Sequence, residues 1–318
     1  ISIRIPAAAP GASFGAALRF FTVQAFHLAT ARVIALNDNF MPLAELPVSR
    51  RATVLQLWHA EGALKRFGLA LPLEPGLRRR VRRGAARLSA VICSSETVAP
   101  YYAQAFGVDQ ARVLPLGSPR LDTLLAPFDQ ASARAAFDVR YPSCAGKNLI
   151  LYAPTFRDTP EENAQLLRHF DFAAFAQRFG KEAVLLLRLH PQLPAPYAPE
   201  DCPGAVNVSA FEDAVALLRL CGCLITDYSS LCLDAAALGL PVICYAYDYG
   251  RYARDRGFFK DLRELPPGVF VERFPDLLDA IAQPEAAGEA REAFLRFHLD
   301  RPDGRASQRI LERFFRDC

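Results

Sequence analysis

The stretch "CLITDYSSLCLDAAALGLPVICY", residues 223–245, constrains the fold more than any other. Two apolar runs, 224–226 and 242–245, flank Asp227-Tyr228-Ser229-Ser230 and a Leu- and Ala-rich segment that ends near Gly239. Strand, tight turn, helix and strand in that order make a parallel crossover unit. A tight turn with two hydroxyls and a carboxylate, placed where a strand ends and a helix begins, also points to chemistry.

The same alternation runs along the chain. "ARVIALND" (31–38), "ATVLQLWH" (52–59), "LSAVICSS" (88–95) and "ARVLPLGSPRLD" (111–122) read as strands, and "ETVAPYYAQAFGV" reads as a helix. A second series follows: "NLILYAPT" (148–155), "AVLLLRLH" (183–190), "CLITDY" and "PVICYAY", with a helix expected near 164–180. Repeated strand–helix alternation predicts α/β structure on parallel sheets. A helix and a Pro/Gly loop at 126–148 mark the expected boundary between two α/β domains in tandem, 1–140 and 141–318. Ligands of such sheets collect at the carboxyl ends of strands, so a cleft between the domains is the expected site.

Composition excludes several classes. Of 318 residues, 52% are hydrophobic and 22% charged, which is a globular and not a disordered balance. A formal net charge of +3 does not argue for nucleic acid. The eight Cys are scattered without zinc-type spacing and read as buried free thiols of a reducing compartment; no metal is expected. No run of eighteen apolar residues suggests a transmembrane helix. The Ala-rich start, without Met, reads as trimmed sequence or part of a longer chain before it reads as a signal peptide.

Polar residues gather where strands end: His59, then Thr155 and Arg157, then His190, then the Asp227–Ser230 turn. Ser and Asp there are ordinary helix caps, or a diphosphate cradle, since free N–H groups and small hydroxyls both favour phosphate. Asp227 would repel an anion and is expected to orient backbone or a hydroxyl. His59 and His190 each follow an apolar run, one in each expected domain. Either is a structural hydrogen bonder or a proton acceptor for a hydroxyl. His27, His169 and His298 read as structural. "LRRRVRRGAARLSA" (77–90) carries six Arg and no acid. It reads as a solvated helix face or as a contact for anionic lipid through Arg78, Arg79, Arg80, Arg82 and Arg83. Nucleic acid is disfavoured because no aromatics are interleaved.

The motifs "LWHAEGALKRFG", "LGSPRLD", "LYAPTFRD", "LRLHP", "ITDYSS", "LGLPVICYAYD", "RGFF" and "DGRAS" occur in this order. Over roughly 30–310 the chain thereby resembles the CDP-glycerol glycerophosphotransferase family, the teichoic acid primases and polymerases. The resemblance implies a GT-B-like fold, two Rossmann-like domains with parallel sheets facing a central cleft. It implies transfer of an alditol phosphate from CDP-glycerol, or another CDP-alditol, to a lipid-linked polymer, with no cofactor. The enzyme would sit peripherally on the cytoplasmic face of the membrane. His59 would then be the general base and His190 the phosphate-side His. Arg157, Thr226, Asp227, Ser229, Ser230 and Asp234 would form the donor site, and Lys65 and Arg120 would lie on the acceptor side. Where the family reads Trp-His-Gly-Thr-Pro-Leu-Lys, this chain has Ala60, Glu61 and one extra residue. A carboxylate there is expected to bear on the acceptor more than on the reaction. The competing readings are a nucleotide-sugar glycosyltransferase on the same fold and a donor-binding homologue without catalysis.

Overall fold

The computed structural model describes residues 15, 22, 23, 25–46, 48–190, 202–284, 288–300 and 302–316. They form two compact units, one running to Pro119 and resuming at Leu299, the other spanning Arg120–His298.

The first unit is built on a four-stranded parallel sheet, β1 (Val33–Leu36), β2 (Thr53–Gln56), β3 (Ala90–Ile92) and β4 (Val113–Leu114), in that spatial order. Val54, Leu55, Val91 and Ile92 are buried, as the apolar runs require. The C-terminal helix Ala306–Phe314 belongs to this unit. Its Ala306 and Ile310 are buried, and Arg309 Nε donates to the Leu116 carbonyl at 2.8 Å. Gly117 makes that approach possible. Its φ is +91°, and a Cβ there would lie 3.1 Å from Ala306 Cβ and 2.8 Å from Arg309 Nη2.

The second unit holds six parallel strands in the order β10-β9-β8-β5-β6-β7. These are β5 (Asn148–Ala153), β6 (Ala183–Leu187), β7 (Ala205–Asn207), β8 (Cys223–Thr226), β9 (Val242–Tyr245) and β10 (Val269–Val271). Leu149, Ile150, Leu151, Leu185, Leu186, Leu224, Ile225 and Ile243 are all buried, so the central strands read as continuous apolar runs with no polar face. β5 pairs with β8 from Ile150↔Cys223 to Ala153↔Thr226. From β5 the chain builds outward to β6 and β7, and from β8 it builds the other way to β9 and β10. The strand order therefore reverses between β5 and β8, the switch point of the sheet.

Three sequence expectations change in detail. The helix Gln130–Arg140 lies in the second unit, so the division falls at Pro119/Arg120 instead of at 140. Its Phe137 is buried near Phe211, and Arg140 donates to the Ala210 carbonyl. The helix expected at 164–180 is broken into Pro160–Gln165, a 3₁₀ turn Leu166–His169, and Phe172–Phe179. Asp171 starts the last piece by accepting from the Ala174 amide. The edge strands β7 and β10 escaped the sequence reading because three residues, none of them fully buried, are too few to show a period.

Candidate functional site

In the first unit the geometry converges on His59. β2 ends at the buried Gln56, whose amide bridges the following turn: Nε2 donates to the Asp38 carbonyl at 3.0 Å, and Oε1 accepts from the Trp58 amide at 2.9 Å. Trp58 turns with φ +59°, the only positive φ at a non-glycine among the described residues. For an L-residue this left-handed conformation costs about 1–2 kcal/mol. Its ring packs on Phe67 at 4.7 Å and edge-on to Phe106 at 5.2 Å. The His59 imidazole lies 4.2 Å from the Trp58 ring. Nδ1 is 3.0 Å from the Asn37 carbonyl oxygen. A carbonyl only accepts, so Nδ1 carries the proton and Nε2 keeps its lone pair. The side chain is half exposed, and Asp38 Oδ1 stands 3.7 Å from Nδ1.

The rest of the loop is tied down. Tyr102 Oη donates to the Ala60 carbonyl at 2.6 Å, and the Gly62 amide donates to Ser94 Oγ at 3.0 Å. Glu61, the carboxylate that departs from the family pattern, is buried and accepts from Ser118 Oγ at 2.7 Å. It serves as an internal tie between the loops after β2 and β4, while His59 is exposed. Lys65, farther along, is half-buried.

In the second unit the Asp227–Ser230 turn and Thr155 follow β8 and β5, so they stand at the switch point. Asp227 is buried, and its Oδ1 accepts from the Thr155 amide at 2.9 Å and the Tyr228 amide at 2.5 Å. One carboxylate thus stitches the two strand ends together. The Thr226 hydroxyl, expected to face the donor, donates instead to the Ala153 carbonyl at 2.7 Å and is fully buried in the sheet. Ser229 Oγ accepts from the Leu231 amide at 3.3 Å. Ser230 precedes the helix Leu231–Ala237 without capping it, whereas Asp129, Thr159, Asp171 and Asp213 all cap theirs. That helix has only seven residues, so the hydroxyl matters more than any helix dipole. Thr155 Oγ1 and Asp227 Oδ2 are buried without a hydrogen-bond partner, a cost a protein rarely leaves in place. His190, after β6, is exposed and rests on the Phe156 ring at 4.6 Å.

Arg157, expected at a phosphate, is buried, and all three of its nitrogens are engaged inside the fold. Nε and Nη2 donate to Asp248 at 2.9 and 3.0 Å, Nη1 to the Thr155 carbonyl at 2.6 Å, and Nη2 to Tyr247 Oη at 3.2 Å. Nη1 also pairs with Asp227 Oδ2 at 3.0 Å, off the line of a hydrogen bond. Tyr228, Tyr247 and Tyr252 surround the guanidinium with centroids 5.3–5.4 Å away. Burial alone would raise the Asp248 pKa. Arg157, and hydrogen bonds from Arg157, Tyr228 and Arg251, hold it below the ordinary carboxylate value. Asp234, expected in the donor site, is also buried, on the helix after Ser230. It is gripped by Arg120, whose Nε lies 3.1 Å from both carboxylate oxygens. Arg120 is thus a second-unit residue. Sequence reasoning missed Trp58, Asn37, Phe156 and Asp248 as supports. Trp58, Phe156 and Asp248 sat inside motifs that could have suggested them, and Asn37 did not.

The Arg run forms the helix Pro75–Ala85. Arg79, Arg80, Arg82 and Arg83 are exposed and Arg78 half-buried. Arg80 and Arg83 pair with Glu45 at 3.1 and 2.8 Å. No helix among the described residues is long and apolar enough to cross a membrane.

The family model described as CDP-Glycerol:Poly(glycerophosphate) glycerophosphotransferase matches residues 17–316. The chain belongs to this family. As a glycerophosphotransferase family member it is 31% identical over 297 residues to the teichoic acid poly(ribitol-phosphate) polymerase of Bacillus spizizenii, covering 91% of this chain and 47% of that protein. It is 34% identical over 292 residues to the teichoic acid ribitol-phosphate polymerase TarL of Staphylococcus aureus, covering 87% and 50%. The chain thus spans about half the length of these two relatives. A structure of a variant of the wall teichoic acid polymerase TagF matches with a TM-score of 0.78 at 25% identity, over 90% of this chain and 73% of that one. The α/β, GT-B-like fold with two Rossmann-like units expected of the family is the fold observed.

Proposed function

We propose that the chain transfers glycerol phosphate, or a related alditol phosphate, from a CDP-alditol to a hydroxyl of a lipid-linked polymer. The observation that carries this reading is the state of His59. With Nδ1 committed to the Asn37 carbonyl, Nε2 is the ring atom able to take a hydroxyl proton. In the proposed step the acceptor oxygen attacks the donor phosphorus nearest the alditol. Its proton passes to His59 Nε2, the phosphorus–oxygen bond to CMP breaks, and CMP leaves with the electron pair. Such transfers need positioning and charge stabilisation more than covalent chemistry.

The uncommitted Ser230 hydroxyl, the Ser229 hydroxyl and the Thr155 strand end support a diphosphate site at the switch point, with His190 as counter-charge. Asp227 and Arg157 hold that site without touching phosphate, Thr226 and Asp234 brace the sheet and helix behind it, and Lys65 stays on the acceptor side. The helix Pro75–Ala85 would bind anionic lipid, giving the protein a peripheral place on the inner face of the membrane.

Calorimetric titration with CDP-glycerol, CDP-ribitol, CDP and UDP-GlcNAc, on wild type and Ser230→Ala, tests the donor. Tight binding of a CDP-alditol, weakened in the variant, is the expected outcome. Binding of UDP-GlcNAc alone would sink the proposal in favour of a glycosyltransferase.

A further inference from the structure

Trp58 is the one described non-glycine residue held in a left-handed conformation, and it immediately precedes His59. A bulky residue persists there only where its surroundings over-determine it. Four contacts do so. Gln56 Oε1 accepts from the Trp58 amide, Phe67 stacks on the indole at 4.7 Å and 19°, Phe106 meets it edge-on, and Tyr102 fixes the next carbonyl but one. Phe67, Phe106 and Tyr102 also contact one another, so the indole stands on a rigid aromatic floor. The imidazole lies over the indole at 4.2 Å, tilted by 34°. A half-exposed His on a loop would otherwise sample several rotamers and both neutral tautomers. Stacking from one side and the Asn37 carbonyl at Nδ1 together leave one orientation, with Nε2 outward.

We infer that Trp58 is a positioning residue for His59: its ring, placed by the strained backbone, selects the Nδ1–H tautomer and aims Nε2. The inference deepens the proposed reaction and rests on it for the kinetic part only. The tautomer itself is read without any substrate.

The experiment uses the full chain labelled with ¹⁵N-histidine, with His59 assigned through His59→Gln. Long-range ¹H–¹⁵N spectra, which distinguish the two ring nitrogens, are recorded at about pH 8, above the ordinary imidazole range. Wild type is expected to show the Nδ1–H form. Trp58→Leu and Trp58→Gly are expected to lose it, the glycine variant relieving the backbone strain while removing the ring. Trp58→Phe, which keeps a ring to stack on, should restore it. In transfer assays Trp58→Leu should lower kcat by about 10²-fold, the scale of a misplaced reacting group, with KM for the CDP-alditol unchanged and partial rescue in Trp58→Phe. Thermal melting of each variant separates loss of fold from loss of orientation, and Trp58→Phe carries the test if Trp58→Leu does not fold. A wild-type Nε2–H form, or an unaltered Nδ1–H form in Trp58→Gly, would overturn the inference. An intact tautomer pattern in a wild type that transfers nothing would uphold the positioning role and count against the proposed function instead.

Discussion

At Arg157, one guanidinium links the ends of three neighbouring strands: the Thr155 carbonyl after β5, Asp227 after β8, and Asp248 and Tyr247 after β9. Arg157→Leu would take the buried cation from Asp227 and leave Asp248 with only the half-exposed Arg251 as its ion-pair partner. It should destabilise the protein by about 3–5 kcal/mol in denaturant titrations, against about 1 kcal/mol for Tyr247→Phe, which removes one neutral acceptor. His59→Ala works on another quantity. It should slow transfer by about 10²–10⁴-fold with donor affinity nearly intact by calorimetry, because the residues of the proposed diphosphate site all lie in the second unit and His59 belongs to the first. The sequence marked His59, His190, Asp227 and Ser230 correctly as strand-end residues, because position in an alternating pattern is a local property. It did not separate the Ser230 hydroxyl, which caps nothing, from the Thr226 hydroxyl, which is tied to Ala153. Nor could it tell a guanidinium aimed at phosphate from one enclosed by Asp227 and Asp248.

Among the elements, the helix Gly288–His298 makes the sharpest pH prediction. His298 is buried against Phe294 and Phe297, and burial pulls its pKa from 6.5 down to about 3. The unfolded chain therefore binds a proton near pH 6.5 that the folded chain refuses until about pH 3. Stability contributed by this site is complete above the unfolded value and falls as pH drops through that window, by up to about 1.4 kcal/mol per unit. Comparing denaturation of wild type and His298→Phe between pH 7 and pH 4 checks this: the wild type should show the steeper acid loss. The Arg helix makes a second prediction. Glu45 neutralises part of its charge through Arg80 and Arg83. Glu45→Gln should strengthen binding to anionic vesicles by about 1 kcal/mol, an effect that raised salt removes. An unaltered partition would count against lipid contact at this helix. The helix itself was readable from its composition, but the acid that tempers it lies more than thirty residues away in sequence.

For the molecule as a whole, continuity of the chain sets what can fold by itself. The second unit is one uninterrupted segment with six paired strands and its own core cluster, from Ile150 and Tyr152 to Leu277 and Ile281. Residues 120–298 expressed alone should give a cooperative melt and, on the proposed function, retain CDP-alditol binding. Residues 1–119 alone should not fold stably, since Ile310, Ala306 and Arg309 return from the far end of the chain to complete that unit. Circular dichroism melts of both segments decide the matter. The amino-acid order by itself determined the α/β class, eight of the ten strands among the described residues and the strand ends where polar side chains gather, because apolar periodicity and turn residues act over a few neighbours. Tertiary structure alone decided the unit boundary, the inward turn of Glu61, the burial of Arg157, and the tautomer of His59. Each of those depends on a partner distant in sequence, whose approach only the packed fold creates.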